Sequence, residues 1–118
     1  MNRLIFALLF MFFSGVASAD TDLPKTITEN FPAYPKSKII QVKEIQGYDA
    51  AILECEDDVA KVHEFYLGKV KKGGWTIEVN YETDEHRTIS AHKSDKACMI
   101  NIALQNGKTM VSLSIFKK

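Results

Sequence analysis

The chain has 118 residues, 15 basic and 15 acidic side chains, and a formal net charge of zero. That length bounds it to one domain, large enough to bury a core without a structural metal. The charge balance gives no footprint for nucleic acid or for an anionic membrane, so composition excludes the strongly basic binding classes.

Met1–Ala19 reads as an export signal. Arg3 precedes an apolar run, Leu4 to Phe13, and Ala17-Ser18-Ala19 supplies the small-residue pattern that signal peptidases cut. The run is about ten residues against the roughly 20 that a bilayer-spanning helix needs, so the sequence predicts no permanent membrane anchor. The mature chain is expected to begin near Asp20, in the periplasm or outside the cell. Removing Met1–Ala19 from 118 residues leaves 99 and costs only Arg3 in charge, for a mature net charge of −1.

Residues 20–38 contain Pro24, Pro32 and Pro35 and read as an irregular arm attached through Phe31 and Tyr34, before an α+β domain over 39–118. Lys38–Ile45 and Ala50–Cys55 carry β-branched and aliphatic residues on either side of a Gly47-bearing connection, a first hairpin. From Asp57 to Lys72 the period changes to about 3.6, with Val59, Val62, Tyr66 and Val70 on one stripe. Glu56, Asp57 and Asp58 crowd the start of this helix, and Lys69, Lys71 and Lys72 its end, complementing the macrodipole. Gly73 is expected as a left-handed cap, with Gly74 reversing the chain.

Beyond the glycines, Trp75, Ile77, Val79 and Tyr81 alternate with polar residues, so all four are expected on the buried side of one strand. Thr88–Lys93, Ala97–Leu104 and Thr109–Phe116 continue the pattern. Asn106-Gly107 predicts a two-residue type I′ turn, which sets Ile102 opposite Val111, Ile100 opposite Leu113 and Cys98 opposite Ile115. The predicted fold is α+β, in the order β-β-α-β-β-β-β, with one helix packed on one face of a mainly antiparallel sheet.

Export turns Cys55 and Cys98 into candidates for a disulfide, for which loop closure suggests roughly 4 kcal/mol. His63, His86 and His92 have no ligand-like spacing, and no metal or cofactor is expected. The carboxylates belong to a helix start and a turn, and neither a nucleophile elbow nor a phosphate-cradling glycine loop is present, so no catalytic residue is assigned. Lys69, Lys71 and Lys72 read first as a solvated helix end, and Trp75 as a core residue. The sheet face opposite the helix carries Met99, Ala103, Met110 and Phe116, a mildly apolar surface suited to an envelope protein partner.

Tyr34-Pro35-Lys36-Ser37, Asp57-Asp58-Val59, Phe65-Tyr66 and Gly73-Gly74-Trp75 together resemble small bacterial extracytoplasmic modules. Those modules have a Tyr-Pro start and an acid-Val, Phe-Tyr, Gly-Trp helix unit. The likeness spans roughly Phe31 to Tyr81, departs at Lys36, where such modules often carry Gly, and brings no catalytic residue. It implies a periplasmic helix-on-sheet domain. The function expected is thus a non-enzymatic binding or structural module of the envelope. Alternatives are an inhibitor resembling the cystatin plan, acting through its Pro-containing arm, and a small-ligand carrier using His92, Glu78 and their neighbours.

Overall fold

The computed structural model describes residues 23–117. The expected export segment, Met1–Ala19, lies outside them. Elements follow in the order α1 (Lys25–Asn30), β1 (Lys38–Ile45), β2 (Tyr48–Cys55), α2 (Val59–Lys72), β3 (Thr76–Glu82), β4 (His86–Lys93), β5 (Lys96–Gln105) and β6 (Lys108–Lys117). The expected α+β order is therefore present, with one short helix added. All six strands form one antiparallel sheet in the order β1-β2-β6-β5-β4-β3. The last strand thus inserts between β2 and β5, leaving β1 and β3 as edges.

The hairpin register is the one that the turn chemistry predicts. Ile102 faces Val111, Ile100 faces Leu113 and Cys98 faces Ile115, with Asn106 and Gly107 both at positive φ. Across the Ser94-Asp95 turn, Ala91 meets Cys98 and Ile89 meets Ile100. Ile89, Ile100, Ile102, Val111 and Leu113 are fully buried, as are Val62, Tyr66 and Val70 of α2, so one continuous core fills the space between helix and sheet.

The arm is more ordered than its prolines suggest. Pro24 precedes a single helical turn and a half, in which Ile27 and Phe31, four residues apart, both bury completely. Phe31 packs 5.5 Å from the Trp75 ring, which confirms Trp75 as core. Tyr34 packs against Phe65 and donates a 2.5 Å hydrogen bond to Asp57 Oδ2, while Tyr66 Oη donates to Pro32 O at 2.9 Å. The arm thus joins the core through Ile27, Phe31 and Tyr34, with Leu23 and Ala33 packed against it.

The start of α2 is capped by Asp58, whose carboxylate accepts from Lys61 N at 2.9 Å. Glu56 and Asp57 lie outside the helix, Glu56 pairing with Lys108 at 2.7 Å and Asp57 holding Tyr34. At the other end Gly74, at φ +80°, takes the left-handed conformation, and Gly73 is right-handed at φ −78°. Gly73 also leaves room for the neighbouring ring: a Cβ there would lie 3.0 Å from Trp75 Cδ1 and 3.2 Å from Lys69 O.

The expected disulfide does not form. Cys55 and Cys98 are free thiols, both buried. Cys55 pairs with Thr109 and Cys98 with Ile115, six positions further along β6 and one strand beyond it. Six residues of strand span about 20 Å, whereas bridged Cα atoms lie within about 7 Å. Burial pushes each thiol up to about 12, so neither is a ready nucleophile.

Candidate functional site

The strict alternation predicted for β3 is broken by one residue. Ile77 pairs with Ala91, but the next pair is Val79 with Ser90, so Glu78 is the extra residue of a β-bulge. Asn80 then pairs with Ile89 and Glu82 with Arg87, and Arg87 pairs in turn with Ile102. Ile89 and Ile102 face α2 in the core, so Asn80, Glu82 and Arg87 share their side of the sheet. Val79 and Tyr81 turn to the opposite side and are 47% and 53% exposed. Their predicted burial is thereby overturned.

The bulge brings Asn80 and Glu82, beside Arg87 of β4, to His63, which projects from the second turn of α2 and is 3% exposed. Its Nε2 lies 2.8 Å from Asn80 Oδ1 and 3.9 Å from Glu82 Oε2, and its Nδ1 lies 3.5 Å from Arg87 Nη1. A guanidinium only donates, so Nδ1 accepts and the ring proton sits on Nε2, donated to Asn80. Arg87 is steadied by donating Nε–H to Thr83 O at 3.0 Å, and Asn80 Nδ2 donates to Glu82 Oε2 at 3.4 Å. The Arg87 to Glu82 contact is a loose 3.6 Å.

Asn80 and Glu82 are exposed although they face the helix side, and Arg87 is half-buried. The buried His63 and the β3 and β4 side chains around it thus form a polar cleft that is open to solvent on its Asn80 and Glu82 side. The cleft offers donors from Arg87, acceptors from Glu82 and an amide that does both. Its charges are paired loosely enough for a ligand to exchange with them.

The other sequence candidates do not converge here. His92 lies on the opposite side, its Nδ1 3.0 Å from Glu78 Oε2, and His86 stacks edge-on to Tyr81 at the far end of β4. Among the described residues, no group of three or more His, Cys, Asp or Glu side chains is placed to hold a metal ion. Of the four residues expected on the open face, Met99 is 39% exposed and Ala103 and Phe116 are half-buried. Met110 is 8% exposed, packed with Ile52 and Ile40, because that half of the face carries its own small apolar cluster. Phe116 stacks 5.2 Å from Tyr48. No helix among the described residues is long and apolar enough to cross a membrane.

Sequence reading missed the cleft because it placed the polar residues of β3, Asn80 among them, on the side away from the helix and found no ligand-like spacing for His63. A family model described as START domain-like matches residues 50–109, from β2 to the start of β6 and so across the whole cleft. No curated protein and no solved structure matches the chain.

Proposed function

The chain belongs to the START domain-like family, and from that premise we propose that it is an exported, non-enzymatic module that binds a small polar ligand in the cleft at His63, Asn80, Glu82 and Arg87. The family match supports a binding role. The observation that carries the assignment is the bulge at Glu78, which places Asn80 and Glu82 on the helix side, facing a buried histidine but open to solvent. A fold that needed only stability would be served there by the apolar residues Val79 and Tyr81. Bulges recur beside functional sites because they re-aim side chains in this way. The ligand would offer an acceptor to Arg87 and a donor to Glu82, replacing their 3.6 Å contact. Export into the periplasm rests on the Met1–Ala19 pattern, and the likeness to extracytoplasmic modules supports the same compartment.

Amide-detected NMR titration with a library of small carboxylates, phosphates and amines tests the site. Binders should shift Lys61–Phe65 and Asn80–Arg87, and Arg87→Ala should abolish the response. Binders that perturb only the opposite face, or an unchanged response in Arg87→Ala, would overturn the assignment.

A protein partner on the opposite face is the second reading. Val79 pairs with Ser90 and Ser90 with Met99, so the exposed Val79 and Met99 flank Ser90 in one row across β3, β4 and β5. The contact would centre there, displaced from Met110 and Phe116. In the same titration, a lysate fraction that perturbs this row and leaves the cleft unshifted would favour it.

A further inference from the structure

The zero net charge conceals an uneven distribution of charge along the sheet, with an excess of lysines at one end. The β4–β5 turn, the end of β6 and the C-terminus of α2 lie together at one end of the molecule, since Lys93 pairs with Lys96, Lys96 pairs with Lys117, and Lys93 Nζ donates to Gly73 O at 2.6 Å. Lys93, Lys96 and Lys117 stand at positions that alternate in phase with the buried Ala91, Cys98 and Ile115, so all three share the helix side. They form a row of like charges on neighbouring strands. Lys69, Lys71 and Lys72, in the last turn of α2, continue the row. The acidic groups at this end are Asp95 in the turn, the facing pair Glu44 and Asp49 on the β1–β2 hairpin, and Glu78 beside His92 on the other side of the sheet. The opposite end carries Glu56, Asp57, Asp58, Asp84 and Glu85 among Lys61, Arg87 and Lys108, with Glu56 paired to Lys108 at 2.7 Å.

Directly opposed like charges on a sheet destabilise it. Within the fold, the helix dipole and the Gly73 carbonyl offset one part of that cost, at Lys93. Lys96 and Lys117 gain no such partner from α2; on their side of the sheet Asp49, which faces Ile115 two positions from Lys117, offsets part of the repulsion, and an anion outside the protein would offset the rest. We infer that this end docks on an anionic lipid bilayer, with the opposite end held away from it. The cations are lysines spread over one end of the molecule and do not converge on a point, which suits a diffuse field of headgroups better than one phosphate. The polarity of the molecule would also steer it into that orientation before contact.

Co-sedimentation of the purified chain with phosphatidylcholine vesicles, with and without added phosphatidylglycerol, tests this. Binding should depend on phosphatidylglycerol and fall with salt. Each engaged lysine is worth about fivefold in affinity near a charged surface. The double variant Lys96→Gln, Lys117→Gln should therefore bind about 25-fold more weakly, while its melting temperature stays the same or rises because the repulsion is gone. Equal binding to neutral vesicles, or unchanged binding of the double variant, would overturn the inference. Tighter binding to soluble polyphosphate than to the anionic vesicles would overturn the assignment to a lipid surface.

Discussion

The bulge at Glu78 can be tested by comparing two adjacent side chains, Val79 and Asn80. An unbroken strand would bury Val79 and expose Asn80; the observed register does the reverse in orientation, leaving Val79 47% exposed and giving Asn80 to the buried His63. Val79→Thr keeps the β-branched shape and changes only a solvent-facing methyl, so it should cost no more than about 0.5 kcal/mol. Asn80→Ala removes the acceptor 2.8 Å from His63 Nε2 and strands an N–H on a ring that is 3% exposed. Such a loss costs about 1–3 kcal/mol when the group is fully sealed. Asn80 is exposed, so water reaches part of the gap and about 1–2 kcal/mol is expected. For a domain of this size that lowers the melting temperature by roughly 4–8 °C per kcal/mol. Urea unfolding at neutral pH, with a double-mutant cycle through His63→Leu, measures both terms. The cycle should return a coupling of about 1 kcal/mol, because deleting both partners leaves nothing unsatisfied. If Val79→Thr is the more damaging change, as burying a hydroxyl would make it, the register and the cleft built on it are wrong.

Two further predictions concern the thiols and their neighbours. Alkylation in denaturant without reductant should label both Cys55 and Cys98, and reductant should leave the native melting temperature unchanged; a peptide linked through these cysteines would refute the 20 Å separation estimated from strand register. Stability should fall on the alkaline side. Burial raises Cys55 and Cys98 from 9.0 to about 12, and the hydrogen bond to Asp57, then burial, raises Tyr34 from 10.0 to about 12. The contribution of these groups is complete below about pH 9. As pH rises through 12 the unfolded chain releases its protons first, so each group lowers stability by at most about 1.4 kcal/mol per pH unit. Urea midpoints measured across this window should decline, and Tyr34→Phe with Cys98→Ala should flatten the decline; an unchanged slope would refute the assignment.

What was legible in the sequence was local. The Asn106-Gly107 turn fixes its own register because few residues accept positive φ, and the α2 stripe at Val59, Val62, Tyr66 and Val70 needs only its period. The insertion of β6 beside β2 was not legible, since that pairing joins Tyr48 to Phe116 across most of the chain, and with it went the position of Cys55 relative to Cys98. The helix at Lys25–Asn30 left one usable trace, the spacing of Ile27 and Phe31, in a segment whose prolines spoke more loudly. The cleft failed to show for a sharper reason. A bulge adds one residue without changing composition, and in β3 it reverses every later side chain while the apolar-polar alternation of Ile77, Val79 and Tyr81 still reads as regular. Sequence pattern reports which residues would suit a buried face, and here that face was given to Asn80 and Glu82 against the pattern. Such a departure costs stability unless something else maintains it, and the cleft beside His63 is where that reason is to be sought.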